Sequence, residues 1–150
     1  MIDAGWCIAR SSASSAEDAI LEIAGRLVAR GRVRPSFGPA CILREKHLPT
    51  GLPFDAPAVA LPHVDASHVI ASSVAVLTLD APVAFREMGA PETVLDVSIV
   101  IVPAFATTET ARELAELVAA LQDRALREAL AAAGDADELA RVLGEALKGG

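Results

Sequence analysis

The chain has 150 residues, 53% of them hydrophobic, with 20 acidic against 13 basic side chains and a net charge of −7. That length lets one domain, residues 1–150, bury a core without metal or disulfide staples, no apolar run approaches the roughly 20 residues needed to cross a bilayer, and no cluster of Lys or Arg supplies the patch that a nucleic-acid backbone requires. Cys7 and Cys41 are too few and too far apart for a disulfide framework or metal box, and the N-terminus lacks the pattern of a secretory signal, so a cytoplasmic protein is expected.

Met1 to Ser15 is small and polar apart from Ile2, Trp6 and Ile8, which leaves open a short strand or a docked arm. Ser14-x-x-Glu17 and Ser15-x-x-Asp18 are capping-box patterns, and Ile20, Ile23, Ala24, Leu27 and Val28 then recur at helical spacing as far as Gly31. Arg26, Arg30 and Arg32 at the end of that helix match its dipole. A second helix is predicted from about Ser36, with Pro39 tolerated in the first turn and Arg44 in the last. Pro49-Thr50-Gly51 and Leu52-Pro53 must be loop, since each proline biases its predecessor away from helical geometry.

Val59 to Leu61 suits a buried strand that Pro62 ends, which delivers His63 at a strand's carboxyl end, the rim where open α/β sheets usually bind ligands. Ser73–Leu79 and Val94–Val102 read as two more buried strands. Between them, Asp80-Ala81-Pro82 is predicted to turn, Val83–Phe85 to add a brief edge strand, and Met88–Pro91 to close a loop. Pro103 is expected to end strand pairing. Thr107 or Thr108 caps a helix with the stripe Leu114, Leu117, Val118 and Leu121; a further piece carries Leu126 and Leu130; Asp135-x-x-Glu138 opens a last helix bearing Leu139, Val142, Leu143, Ala146 and Leu147. Strands in the middle with helices before and after predict an α/β fold, one mixed sheet flanked by helices.

His63 is the residue with the most chemistry to offer, because a neutral imidazole is a nucleophile at cellular pH. Its neighbours His47, Asp65 and His68 also permit a His-and-carboxylate metal site, but the spacing is not that of a helical ligand pair and no Cys joins it, so no metal and no cofactor is expected. Arg44 reads either as an anion-binding fork or as one half of a surface ion pair with Glu45 or Glu92. Thr50 reads equally as a hydroxyl donor and as ordinary turn chemistry between Pro and Gly.

The spaced series Arg44-Glu45, Thr50-Gly51 and Ala60-Leu61-Pro62-His63, followed by Val83 to Gly89, resembles the type-2 enzyme IIA domains of the bacterial sugar phosphotransferase system, the fructose, mannitol and galactitol group. Pro49-Thr50-Gly51-Leu52 and Phe85-x-x-Met88-Gly89 are most similar to the galactitol type. The resemblance implies the type-2 enzyme IIA fold and a phosphotransferase with a phosphohistidine intermediate. His63 would take the phosphoryl group from the histidine-containing phosphocarrier protein and pass it to a cysteine of enzyme IIB, which serves a IIC membrane permease during sugar or polyol uptake. It further implies phosphate-binding roles for Arg44 and Thr50. A regulatory IIA-like phosphoprotein with the same chemistry is the alternative, and a metal-binding module the third reading. Two departures are visible: Val64 stands where many fructose and mannitol members have Gly, and no second His follows the strand at 97–102, as one does in mannitol-type members.

Overall fold

A computed structural model of the protein describes residues 1–107 and 110–148. Its sheet has four strands, β1 (Cys7–Ser11), β2 (Ala58–Ala60), β3 (Ser73–Glu87) and β4 (Ala90–Ala104), in the spatial order β1-β3-β4-β2. β3 and β4 form a long antiparallel hairpin; β1 runs parallel to β3, and β2 parallel to β4. The predicted α/β architecture is therefore the one observed. Because β2 and β4 run the same way, the residues that follow them, Leu61–His63 and Phe105, emerge at one rim of the sheet.

Helices α1 (Ala16–Ala29) and α2 (Phe37–His47) precede β2, and α3 (Thr110–Leu121), α4 (Arg124–Ala132) and α5 (Ala136–Lys148) follow β4. Their starts follow the capping logic of the sequence. Ser15 accepts the Asp18 amide at 3.1 Å, while Asp135 accepts the Glu138 amide and Glu138 reaches back to that of Gly134. Of the two caps predicted for α3, Thr107 is exposed and Thr108 lies outside the described residues.

Period-two alternation along the hairpin divides the core between the two faces of the sheet. Ala75, Leu77, Val100 and Val102 pack with Ile20, Ile23 and Leu27 of α1 and Phe37 and Cys41 of α2. Val74, Val76, Ile99 and Ile101 pack with Leu117, Leu121, Leu130, Leu139 and Leu143 of α3 to α5. Burial pushes the free thiols of Cys7 and Cys41 up to about 11 and about 12, as expected of packing residues. Among the described residues no helix is long and apolar enough to cross a membrane.

One open alternative is resolved and two local expectations are corrected. The N-terminal segment is a true strand, β1, hydrogen-bonded along β3. Asp80-Ala81-Pro82 is no turn: β3 runs unbroken to Glu87, with Thr78 opposite Ile99 and Val83 opposite Val97, so Leu79 to Pro82 face Ser98 alone across a bulge. A bulge already breaks the ladder, and Pro82 there removes no bond that would otherwise form. Pro103 does not end pairing either, since it stands opposite Val74 and β4 continues to Ala104. β2 pairs β4 no further than Val100, so Pro103 lies where β4 has become an edge strand on that side.

Candidate functional site

The site begins with a buried strand that stops. Ala58 to Leu61 are buried, Pro62 cannot extend the ladder, and His63 follows half-buried on the rim. The His63 Nδ1–H donates to the Leu61 carbonyl at 2.7 Å. A carbonyl oxygen only accepts, so the ring proton of the neutral imidazole is on Nδ1 and Nε2 carries the free lone pair. Burial pushes the His63 pKa below its ordinary value; the Leu61 carbonyl opposes that shift and the positive charge of Arg44 adds to it. Near neutral pH the ring is uncharged and nucleophilic at Nε2.

His63 lines a cavity of about 480 Å³. Arg44, from the last turn of α2, reaches it from one side of the sheet, and Leu114 of α3 from the other, while Pro103 and Phe105 at the end of β4 form an apolar wall. Asp65 and Thr107 supply the remaining polar lining. The Ser67 hydroxyl and amide both donate to Asp65, and these bonds, with His68 and Arg44 nearby, hold its carboxyl below the usual range. No carboxylate among the described residues lies within ion-pair distance of Arg44, although its charge acts on both Glu45 and Asp65.

Thr50 is brought close to the His63 strand but not into the cavity. It is 1% exposed, and its hydroxyl donates to Glu45 Oε1 at 2.8 Å while accepting the Leu61 amide at 3.2 Å. Its backbone N–H donates to Glu45 Oε2, also at 2.8 Å. The hydroxyl proton is thereby committed to Glu45 inside the fold. Burial pushes the Glu45 carboxyl up, against the two Thr50 bonds that favour its ionised form. His68 takes a different partner, the Ser36 hydroxyl at 2.8 Å, with its other ring nitrogen 3.8 Å from Asp65. His47, His63, Asp65 and His68 do not converge: among the described residues no three His, Cys, Asp or Glu side chains are placed to hold a metal ion.

Sequence reasoning missed Phe105 and Leu114 as walls of the cavity and Glu45 as the partner of Thr50. The signal for Phe105 was the orientation of β4: once β4 is parallel to β2, its exit must share a rim with His63. Nothing local in the sequence fixes that orientation.

A family model described as "Phosphoenolpyruvate-dependent sugar phosphotransferase system, EIIA 2" matches residues 1–146. A sequence search of the curated proteins finds no match. Solved structures with the same fold include the mannitol enzyme IIA of Escherichia coli in complex with phosphorylated mannitol enzyme IIB, 24% identical, covering 97% of this chain and 98% of that one with a TM-score of 0.77. They also include the crystal structure of the Escherichia coli mannitol IIA, 24% identical over 95% of this chain and 99% of that one with a TM-score of 0.73. The nitrogen regulatory protein IIA-Ntr of Neisseria meningitidis is likewise similar, at 24% identity, 94% of each chain and a TM-score of 0.69.

Proposed function

Because the chain belongs to the type-2 enzyme IIA family of the phosphoenolpyruvate-dependent sugar phosphotransferase system, we propose that His63 is the residue on which it carries the phosphoryl group. The observation behind this reading is the pairing of a ring held as the Nδ1–H tautomer with an arginine that forms no ion pair among the described residues, both lining one cavity. Nε2 attacks the phosphorus of the phosphohistidine on the histidine-containing phosphocarrier protein; one N–P bond forms as the other breaks, and the carrier's ring nitrogen leaves with its electron pair. A cysteine thiolate of enzyme IIB then attacks the same phosphorus from the open side, and His63 returns neutral.

Transfer of this kind asks the protein for position and charge rather than for a cofactor. Arg44 presents a planar fork matched to phosphoryl oxygens, and a charge-assisted hydrogen bond of that type contributes about 1.5–3 kcal/mol. Arg44, backbone amides of the loop around His63 and Thr107 are the donors that stand in for the second histidine of mannitol-type members. The protein works in the cytoplasm beside a IIC permease, with ancestry on the galactitol side of the group. The sugar is chosen by the permease. A signalling role would use the same chemistry, and genes for enzyme IIB and IIC next to this one separate transport from regulation.

Incubation with phosphoenolpyruvate, enzyme I and the phosphocarrier protein is expected to place a single acid-labile, base-stable phosphoryl group on His63, as mass spectrometry would show, and His63→Ala to abolish it. Undiminished label in that variant, or label on His68, overturns the assignment.

A further inference from the structure

We propose that Glu45 is a positioning residue for the transfer: its half-buried carboxylate, acting through Thr50 and Leu61, fixes where the His63 ring sits relative to Arg44 and which ring nitrogen is bare. The inference rests on the reading of His63 as phosphoryl acceptor.

Arg44 and Glu45 are consecutive in the last turn of α2, so their side chains leave the helix about 100° apart. One points into the cavity and the other toward the 48–53 loop. Glu45 Oε2 and Oε1 accept the N–H and O–H of Thr50, each at 2.8 Å. Thr50 in turn receives the Leu61 N–H on its hydroxyl and on its carbonyl oxygen, both at 3.2 Å. The Leu61 carbonyl then takes the His63 Nδ1–H at 2.7 Å. Glu45 and Thr50 thus hold the Leu61 N–H while the Leu61 carbonyl, on the next peptide unit, holds His63, so the series runs from the residue next to Arg44 to the reacting ring through the Leu61 backbone.

Two features separate this from ordinary loop docking. The carboxylate is half-buried, has no ion-pair partner among the described residues, and spends both oxygens on a single threonine. A charged, two-point acceptor of that kind fixes the Thr50 rotamer more firmly than a neutral bond would. The loop also has anchors of its own: Gly51 N–H donates to the Arg86 carbonyl at 3.0 Å, and Leu52 N–H to the Val59 carbonyl at 2.9 Å. A Cβ on Gly51 would lie 2.6 Å from the Arg86 oxygen, so that anchor is close-packed. Loss of the carboxylate leaves the loop docked and loosens the link to His63.

The experiment compares Glu45→Ala, Thr50→Val and Thr50→Ser in phosphoryl acceptance from the phosphocarrier protein, together with the imidazole ¹⁵N spectrum of the unphosphorylated proteins. Glu45→Ala and Thr50→Val are each expected to lower kcat about tenfold or more while the KM for the phosphocarrier protein stays within about twofold, a loss of positioning rather than of docking. Thr50→Ser, which keeps the hydroxyl, restores the wild-type rate. In the spectra, wild type shows His63 as the Nδ1–H tautomer, and Glu45→Ala and Thr50→Val show a mixture. Wild-type kcat and an unchanged tautomer in both folded variants overturn the proposal. If Glu45→Ala does not fold, the near-isosteric Thr50→Val decides by the same two readouts. If wild type takes no label on His63, the phosphocarrier reading fails, while the tautomer comparison still decides whether Glu45 sets the ring.

Discussion

A proton can charge the His63 ring only at Nε2, since Nδ1 already gives its proton to the Leu61 carbonyl. Burial, aided by Arg44, makes that protonation harder in the folded chain than in the unfolded one, where the ordinary value near 6.5 applies. The unfolded state therefore binds more protons between the two values. The contribution of His63 to stability is present above about pH 6.5 and is lost as pH falls through the depressed folded value. Glu45 has the opposite sign: its carboxyl is raised, so its contribution is full below its unfolded value and is lost as pH rises through the folded one. For His63 the functional consequence follows directly. An NMR titration is expected to give a midpoint below 6.5 with the proton arriving at Nε2, and phosphoryl acceptance is expected to hold its rate through pH 6.5 and fall only below that midpoint. A midpoint at or above 6.5 would mean that the ring is not held as the geometry indicates. Much of this scale was legible beforehand: the break at Pro62 placed His63, and the resemblance paired it with Arg44. The turn of Glu45 toward Thr50 was not legible, because neighbouring residues on a helix diverge and sequence order does not say which one meets the loop.

At the scale of elements, the helices could be read from spacing and caps, while the strands were read too short. The reason is physical. Asp80 and Pro82 look like a turn wherever the chain is free to turn, but here a bulge absorbs them inside β3. Arg127 was equally hidden. A charged side chain is ordinarily exposed, yet Arg127, three residues before Leu130, is 2% exposed, donating to the carbonyls of Pro57, Leu121 and Gln122, pairing with Asp55 and lying 4.8 Å from the centre of the Phe54 ring. It joins the end of α3, the start of α4 and the segment that feeds β2. Asp55 is 61% exposed and can return to water when the pair is broken; the three carbonyls cannot. Arg127→Met, which keeps volume and removes the donors, is therefore expected to lower unfolding free energy by about 3 kcal/mol, the upper end of the cost of leaving a buried polar group unsatisfied. Urea denaturation measures it, and a loss under about 1 kcal/mol would show that water replaces the guanidinium without penalty.

The whole molecule is one sheet with two cores, and the hairpin strands serve both at once: Leu77 faces α1 and α2 while Val76 beside it faces α3 to α5. Neither helical layer can leave without uncovering strands that the other layer needs. The cavity obeys the same logic, since Arg44 comes from one layer, Leu114 from the other, and His63 and Phe105 from the exits of the two parallel strands between them. Composition and strand order in the sequence pointed to this layered class, but the pairing of β2 with β4 is a long-range choice that no local pattern encodes. Cooperative unfolding is the expected outcome. Trp6, the only tryptophan, sits on the N-terminal segment before β1, bonded to the Met1 carbonyl, with the Arg32 guanidinium 4.5 Å from its ring centre. It reports on an edge of the sheet remote in sequence from the later helices. In urea, Trp6 fluorescence, far-UV circular dichroism and the capacity to accept a phosphoryl group on His63 are expected to be lost at one midpoint, with Arg127→Met moving all three together. If acceptance disappeared at lower urea than the other two, the α3 wall of the cavity would have to open as a separate unit. If Trp6 moved first, β1 would be a detachable edge, and the two cores would not depend on each other as the shared hairpin requires.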